Sequence, residues 1–212
     1  MISQVDHLVE DVRVCMDENA VSAALVASSD VDTLSLNEII RSKLTEAVDG
    51  VHSMAPACLL ECGHNFGDAL YWGEMESGWV LLPDDFLRLV VFEMDDWAQA
   101  VYEAISSGSA AYARQRSRVK ALRGTWERPV CAFGVRGEGR VLEFYSCKSE
   151  DASVRRGVYI PRASVDRDGG IDVSERCKDA VVYRAAGLTL TSLGEVEKAG
   201  VMFNLSKECL GL

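Results

Sequence analysis

Long apolar runs, prolines and histidines are all scarce in this sequence of 212 residues. No apolar run approaches the roughly 20 residues that a membrane-spanning helix needs, so we expect no membrane partner. Four prolines and a hydrophobic content of 48% are typical of a globular chain rather than a disordered one. Three histidines leave little material for general-base catalysis, and the sequence has no Gly-x-Ser-x-Gly motif. We therefore expect a protein that is not an enzyme.

The first residues, MISQVDHLVEDVRV, lack the basic and apolar regions of a signal peptide, so we expect the chain to be made and kept in a cytoplasm. Its seven cysteines are an odd set spread along the chain, unlike a disulfide framework. Cys15, Cys131 and Cys177 each stand where an apolar residue would fit the local period. This pattern indicates reduced cysteines that act as small hydrophobic side chains.

The closest grouping of possible metal ligands is Cys58, Cys62 and His64, in the stretch ACLLECGHN. The spacing is not that of a zinc knuckle, and only Cys131 and Cys147 of a predicted hairpin are candidates to complete a tetrahedron. We interpret the stretch as a loop that leaves a helix, with both cysteines turned inward and the histidine exposed. We expect no metal and no other cofactor. The alternative function is a small cytoplasmic domain that binds a metal or ligand through these three residues.

Two pairs of neighbouring carboxylates, Asp84-Asp85 and Asp95-Asp96, offer possible cation ligands. Adjacent residues of a strand point to opposite faces, so we predict that each pair lies in a turn or caps a helix. The glycines at 134, 137 and 139 lie in a predicted hairpin loop and do not open a helix, so they do not match a phosphate-binding loop.

One basic segment, AYARQRSRVKALRG, carries Arg114, Arg116, Arg118, Lys120 and Arg123. The first four alternate, so an extended chain would present them on one face, as proteins that bind nucleic-acid backbones do. The isoelectric point near 4.8 and the scarcity of interleaved aromatic residues instead favour a solvated face or a protein interface.

Charge is distributed unevenly along the chain. Residues 1–105 contain 20 acidic and 4 basic residues, a net charge of −16, whereas residues 106–212 contain 13 acidic and 18 basic residues, a net of +5. The two halves either fold against each other or lie on opposite flanks, where the acidic side of one copy meets the basic side of the next.

Periodicity predicts four long helices. The first covers 3–17, and the second runs from a capping box at Ser35–Glu38 to Pro56. The third begins after Asp172 and the fourth after Ser192. Strands are predicted over 86–94 and 157–161, with one hairpin around 76–78 and another joining PVCAFGV to RVLEFYS; a short helix is predicted near 109–116. The expected fold class is α+β: a helical bundle formed by N- and C-terminal helix pairs (1–65 and 171–212), with an inserted β-rich region (66–170), in one domain over 1–212.

All four tryptophans lie in the β-rich middle: Trp72, Trp79, Trp97 and Trp126. Burial in the core is the expected role, and anchoring of an interface is the alternative, because tryptophan is enriched at binding hot spots.

Two segments carry a resemblance to a known family. The first is VLLPDDFLRLVVFEMDDW, through Leu82-Pro83-Asp84-Asp85-Phe86, Leu87, Leu89 and Trp97. The second is the C-terminal CKDAVVYRAAGLTLTSLGEVEKAGVMFNLSKECL, with the small-residue run Ala185-Ala186-Gly187-Leu188, the turn Leu193-Gly194-Glu195 and the helix that carries Ala199. They resemble the strand-entry segment and the closing helix pair of the head–tail connector proteins (adaptor or tail-tubular ring proteins) of short-tailed, crAss-like bacteriophages. The predicted N-terminal helix pair also fits, so the resemblance spreads over most of the chain.

The resemblance implies a virion structural protein that forms a ring, expected to be a dodecamer, between the portal and the tail. DNA would pass through the ring during ejection without being read, and an acidic inner wall would repel its phosphates. The partners implied are further copies of this chain, the portal protein and tail proteins. A ring requires two different surfaces to meet head to tail, and halves of opposite charge are one way to specify that contact.

Overall fold

The computed structural model describes residues 2–16, 35–61, 63–145 and 147–212. The chain divides into two compact units: a helical unit, Met1–Cys62 with Arg162–Leu212, and a β unit, Gly63–Pro161. The β-rich region predicted from the sequence continued to residue 170, whereas the β unit ends at Pro161. The strand at Gly170–Asp172 pairs with Ile2–Gln4, so it belongs to the helical unit.

Five α-helices and ten strands occur in the described residues. In chain order they are β1 (Ile2–Gln4), α1 (Val5–Cys15), α2 (Leu36–Met54), β2 (His64–Asn65), β3 (Leu70–Trp72), β4 (Gly78–Leu81), β5 (Phe86–Met94), β6 (Ile105–Ser106), α3 (Ala110–Gln115), β7 (Cys131–Arg136), β8 (Gly139–Phe144), β9 (Val154–Pro161), β10 (Gly170–Asp172), α4 (Lys178–Ser192) and α5 (Val196–Cys209). Single 3-10 turns lie at Ala57–Leu59, Lys120–Leu122 and Glu175–Cys177.

The predicted fold class, an α+β helical bundle of terminal helix pairs, is wrong. The described residues form a mixed α and β structure with three separate sheets, and one of these, β1 with β10, lies inside the helical unit. Five of the strands are only two or three residues long. Strands of that length are too short to show the apolar–polar alternation that identifies a strand in a sequence. The sequence pattern therefore underestimates the β content.

The helices follow the sequence pattern more closely. The helix predicted over 3–17 is α1, shortened at its start by β1. The capping box is confirmed: the Ser35 hydroxyl accepts from the backbone N–H of Glu38 at 3.3 Å, and the Glu38 carboxylate accepts from the Ser35 N–H at 2.8 Å. Both bonds satisfy donors that the first turn of α2 would otherwise leave free.

The core of the helical unit combines large side chains from α1 and α2 with small ones from α4. Leu8, Ile40 and Leu44 are fully buried, as are Ala185 and Ala186 of α4. At Gly187 an added Cβ would lie 2.7 Å from the Phe203 ring, so glycine is needed for the contact of α4 with α5. The small residues allow the helices to approach closely, as close packing of a helical core requires.

The β unit contains a three-stranded sheet of order β2-β9-β5 and a five-stranded sheet of order β3-β4-β8-β7-β6. Neighbouring strands are antiparallel, except that β6 and β7 are parallel. The predicted hairpins are confirmed as β3–β4 and β7–β8, and the strands predicted over 86–94 and 157–161 are β5 and the end of β9. Gly139 opens β8 with a φ of 135°, a conformation that disfavours any side chain.

Aromatic rings fill the core of the β unit. Phe86, Phe92 and Phe144 are buried, and the ring of Phe92 meets that of Trp97 edge to face at 5.8 Å between centroids. Trp97 is 5% exposed, which confirms the core role predicted for it. Such offset and edge-to-face contacts are the favoured geometry for packed aromatic rings.

Candidate functional site

Two of the three residues of the possible metal site, Cys58 and His64, belong to the described residues. Cys58 lies in the helical unit and is exposed, so the prediction that it faces inward is wrong. His64 lies in the β unit and is exposed, as predicted. Cys62 lies outside the described residues. Across the residues that the structure describes, no three His, Cys, Asp or Glu side chains are grouped to hold a metal ion.

The cysteines predicted to act as small hydrophobic side chains are largely buried. Cys131 and Cys177 are fully buried, which confirms the prediction, and Cys15 is half-buried. Burial raises the pKa of the Cys147 thiol to about 12, with a further contribution from the carboxylate of Asp96. The Cys147 thiol is therefore held in the protonated, unreactive form.

Both carboxylate pairs lie in turns, as predicted. The carboxylate of Asp85 accepts a hydrogen bond from the hydroxyl of Tyr159 at 2.8 Å, and burial together with this bond raises the tyrosine pKa to about 12. Asp95 accepts from the Ser153 hydroxyl at 2.7 Å. These carboxylates tie strands and turns together within the β unit.

Among the helices of the described ranges, none combines the length and the apolar character needed to cross a bilayer.

The basic segment does not form an extended chain. Its first part is α3, and the 3-10 turn Lys120–Leu122 follows. Arg114, Arg116 and Arg118 are exposed, whereas Arg123 is only 6% exposed. The structure therefore separates one arginine of this segment from the others and places it in the interior of the β unit.

A cluster of polar side chains surrounds Glu143, a residue of β8; we call Glu143, Tyr112, Tyr145 and Arg136 the Glu143 cluster. The Oε2 atom of Glu143 accepts from the hydroxyls of Tyr145 at 2.8 Å and Tyr112 at 3.0 Å. Its Oε1 atom accepts from Nη2 and Nε of Arg136 at 2.9 and 3.2 Å. Glu143 is 7% exposed, and four charge-assisted hydrogen bonds compensate the burial of its charge.

These contacts set the protonation states of the cluster. Burial opposes the charge on Glu143, but the hydrogen bonds from Tyr145, Tyr112 and Arg136 outweigh it and lower the pKa of the carboxyl. Burial and the neighbouring carboxylate raise the pKa of both tyrosines. The cluster therefore holds one carboxylate and two neutral phenols near neutral pH.

Arg136 also connects the cluster to a stack of aromatic rings. Its guanidinium lies 3.7 Å from the centroid of the Trp79 ring, and Tyr71 stacks on the same indole with ring centroids 5.7 Å apart. Trp79 is half-buried in this stack rather than in the core. Trp72 is half-buried against Phe144, and Trp126, at 37% exposed, is not a core residue.

The opposite charges of the two halves of the sequence meet inside each unit. Lys178 of α4 pairs with Asp11 of α1 at 3.0 Å in the helical unit, and Lys120 pairs with Glu76 at 2.9 Å in the β unit. The arrangement in which the two halves fold against each other is therefore present in both units.

A surplus of charge remains exposed on the β unit. Arg114 and Arg118 on the basic side, and Asp84 and Glu103 on the acidic side, are exposed and form no ion pair with any described residue. Opposite charges of this kind are available for contact with another molecule.

The outward face of α5 is the second exposed feature. Ala199 and Ser206 are buried against α4, whereas Val196 and Val201 are 69% and 57% exposed. Gly200 lies between the two valines, and a Cβ placed there would meet no atom within 4 Å. We call Val196, Gly200 and Val201 the α5 face.

Sequence reasoning missed the Glu143 cluster and the burial of Arg123. A signal existed for the first, because Glu143 stands between the apolar Leu142 and Phe144 in a strand that was predicted correctly. A charged residue in such a place requires partners. Nothing in the alternating basic segment distinguishes Arg123 from its exposed neighbours.

No protein-family model matches this chain, and no curated protein matches its sequence.

Proposed function

We propose that the chain is a non-enzymatic structural subunit of a virion, which assembles head to tail into the connector ring between the portal and the tail of a short-tailed bacteriophage. The ring leaves a channel through which DNA passes without being read. The sequence resemblance motivates this proposal, and the exposed surfaces of the two units support it.

The α5 face is the observation that carries the proposal. A glycine in the interior of a helix destabilises it by about 1 kcal/mol relative to alanine. Gly200 has no packing role within the described residues, since the space beside it is open. A small residue between two exposed valines is suited to close approach by a second protein surface. In a ring, that surface belongs to the next copy of the chain.

The charge left exposed on the β unit gives a second support. A head-to-tail contact joins two different surfaces. Arg114 and Arg118 on one side, and Asp84 and Glu103 on the other, are exposed without an ion pair to any described residue, and they offer both sides of such a contact. Complementary charges of this kind determine which partner binds and in which orientation. Apolar contacts such as those of the α5 face contribute more of the affinity.

The test is native mass spectrometry of the purified chain at increasing concentration. We expect a closed species of twelve times the 23.2-kDa subunit mass, without bound metal. Val201→Arg places a charge in the α5 face and is expected to shift the protein to monomer. Val14→Arg is the matched control, because Val14 is 78% exposed on α1, outside the α5 face.

Two results would contradict the proposal. One is a chain that remains monomeric at the highest attainable concentration, which would favour a monomeric adaptor or regulatory protein. The other is a monomer that carries stoichiometric zinc, which would support metal binding through Cys58, Cys62 and His64. A ring that Val14→Arg disrupts as strongly as Val201→Arg would show that the α5 face is not the contact.

A further inference from the structure

A cavity of about 410 Å³ opens on the β unit beside the Glu143 cluster. Its walls come from the β3–β4 turn, from α3 with the segment that follows it, and from β7 and β8. The side chains that matter for its chemistry are Trp79, Arg116, Arg123, Arg136, Glu143 and Tyr145. The volume is within the range of roughly 300–1,000 Å³ that small-molecule sites occupy.

Arg123 is the unusual residue in this wall. It is 6% exposed, and its Nε and Nη2 atoms are buried without a hydrogen-bond acceptor among the described residues. These two nitrogens form the edge of the guanidinium that grips a carboxylate or phosphate with two parallel bonds. Arg136, on the same cavity, uses these two atoms on Glu143. Arg123 has the same donors and no anion.

The cavity lacks an internal counter-ion for Arg123. Glu143 already accepts four hydrogen bonds and is paired with Arg136. Arg116 adds a further positive charge at the exposed rim, where Glu74 is the other carboxylate. Three arginines therefore line the cavity with two carboxylates, and the most buried of the three, Arg123, forms no ion pair with any described residue. Burying an uncompensated charge is strongly unfavourable. An anion that enters the cavity would compensate the charge of Arg123 and so stabilise the folded protein.

A second donor in the wall also has no acceptor. The indole Nε1 of Trp79 is buried without a hydrogen-bond partner among the described residues. The guanidinium of Arg136 and the ring of Tyr71 already lie against the same indole. Buried donors without acceptors, in a wall that holds three arginines, favour an oxyanion as the ligand.

We propose that this cavity is a binding site for the oxyanion of a small molecule, a phosphate or a carboxylate, with Arg123 as the buried counter-ion and Arg116 at the entrance. The proposal is independent of ring assembly, because every residue involved belongs to the β unit of one chain. The Glu143 cluster has a positioning role, since it fixes the guanidinium of Arg136 in the wall.

The probes are pyrophosphate and citrate, titrated into the full chain with sodium chloride at matched ionic strength as the reference, and the readout is the midpoint of thermal unfolding. A ligand that binds only the folded state raises the midpoint as its concentration increases. We expect a rise with at least one probe beyond that caused by chloride. A stronger response to pyrophosphate identifies phosphate ligands, and a stronger response to citrate identifies carboxylate ligands.

Arg123→Met tests the buried charge. In chloride we expect the variant to unfold at a higher temperature than the natural protein, because it removes an unpaired buried charge. The probe that stabilises more strongly should raise the unfolding midpoint of the natural protein and leave that of the variant unchanged. The difference between the two midpoints should therefore shrink or reverse. If Arg123→Met does not fold, the exposed Arg116 supplies the second test: Arg116→Ala should weaken binding about tenfold.

Arg128→Ala is the matched control, since Arg128 is exposed in the β unit and does not line the cavity. Its titration should equal that of the natural protein. The proposal is overturned if neither probe raises the unfolding midpoint more than chloride does, if Arg123→Met retains the full response, or if Arg128→Ala loses as much of the response as Arg116→Ala. The last result would indicate diffuse attraction to a basic surface.

Discussion

Replacing Glu143 by glutamine should destabilise the β unit, because it removes the charge at the centre of the Glu143 cluster while keeping its shape. The amide NH₂ of glutamine must face either Arg136, which has no acceptor, or the two tyrosine hydroxyls, which can rotate to accept. It will therefore turn toward Tyr112 and Tyr145, and the amide oxygen will remain on Arg136. The number of hydrogen bonds in the cluster therefore stays the same, but each becomes weaker because residue 143 no longer carries a negative charge.

The magnitude follows from that count. Hydrogen bonds to a charged group contribute about 1.5–3 kcal/mol, against about 1 kcal/mol for neutral ones. The Arg136 side chain is 39% exposed, so water screens part of its interaction. We therefore expect Glu143→Gln to lower the free energy of unfolding by about 2–3 kcal/mol at pH 7.

Urea unfolding followed by tryptophan fluorescence is the assay, because all four tryptophans belong to the β unit. The matched control is Glu138→Gln in the exposed hairpin turn, which should change the free energy of unfolding by less than about 0.5 kcal/mol. An equal loss in the two variants would refute the importance of the cluster.

The pH dependence provides an independent check. The folded pKa of Glu143 is lowered from its ordinary value of 4.5, so its stabilisation is fully present above that value. It is lost as the pH falls through the lowered pKa, where the folded protein takes up the proton. The natural protein and Glu143→Gln should therefore converge in stability in acid. A difference that persists unchanged to low pH would refute the electrostatic explanation.

Two further predictions concern a buried histidine and a close backbone contact. Burial lowers the pKa of His52 in the folded protein below 6.5, so the stability of the helical unit should decrease as the pH falls below 6.5 toward the lowered pKa. Circular dichroism measures this stability, and His52→Gln should flatten its pH dependence. A variant with the same pH dependence as the natural protein would contradict the prediction. Gly157→Ala should lower the free energy of unfolding by about 1–3 kcal/mol, because the new Cβ would collide with the carbonyl oxygen of Phe66. Gly137→Ala, where the space is open, is the control and should be nearly neutral; equal losses would contradict the collision.

Local features were predictable where the physical cause is local. The capping box of α2 depends on two residues three apart, and α1 on a short apolar repeat, so both could be identified without tertiary contacts. The β7–β8 hairpin needed only two apolar runs and a glycine-containing turn. The positions of Cys131, Cys177 and Trp97 in the core follow from the same apolar patterns.

Tertiary structure decided what depends on residues that are distant in the sequence. The strand β10 exists because β1, at the other end of the chain, pairs with it, and three residues carry no pattern that would reveal this. The Glu143 cluster joins α3, β7 and β8. Arg123 differs from Arg114 and Arg118 only in the wall that the chain builds around it. Sequence alone determined which side chains are charged, apolar or small. Folding determined which charges are paired, which are exposed, and that Arg123 is buried with no acceptor for its Nε and Nη2 atoms among the described residues.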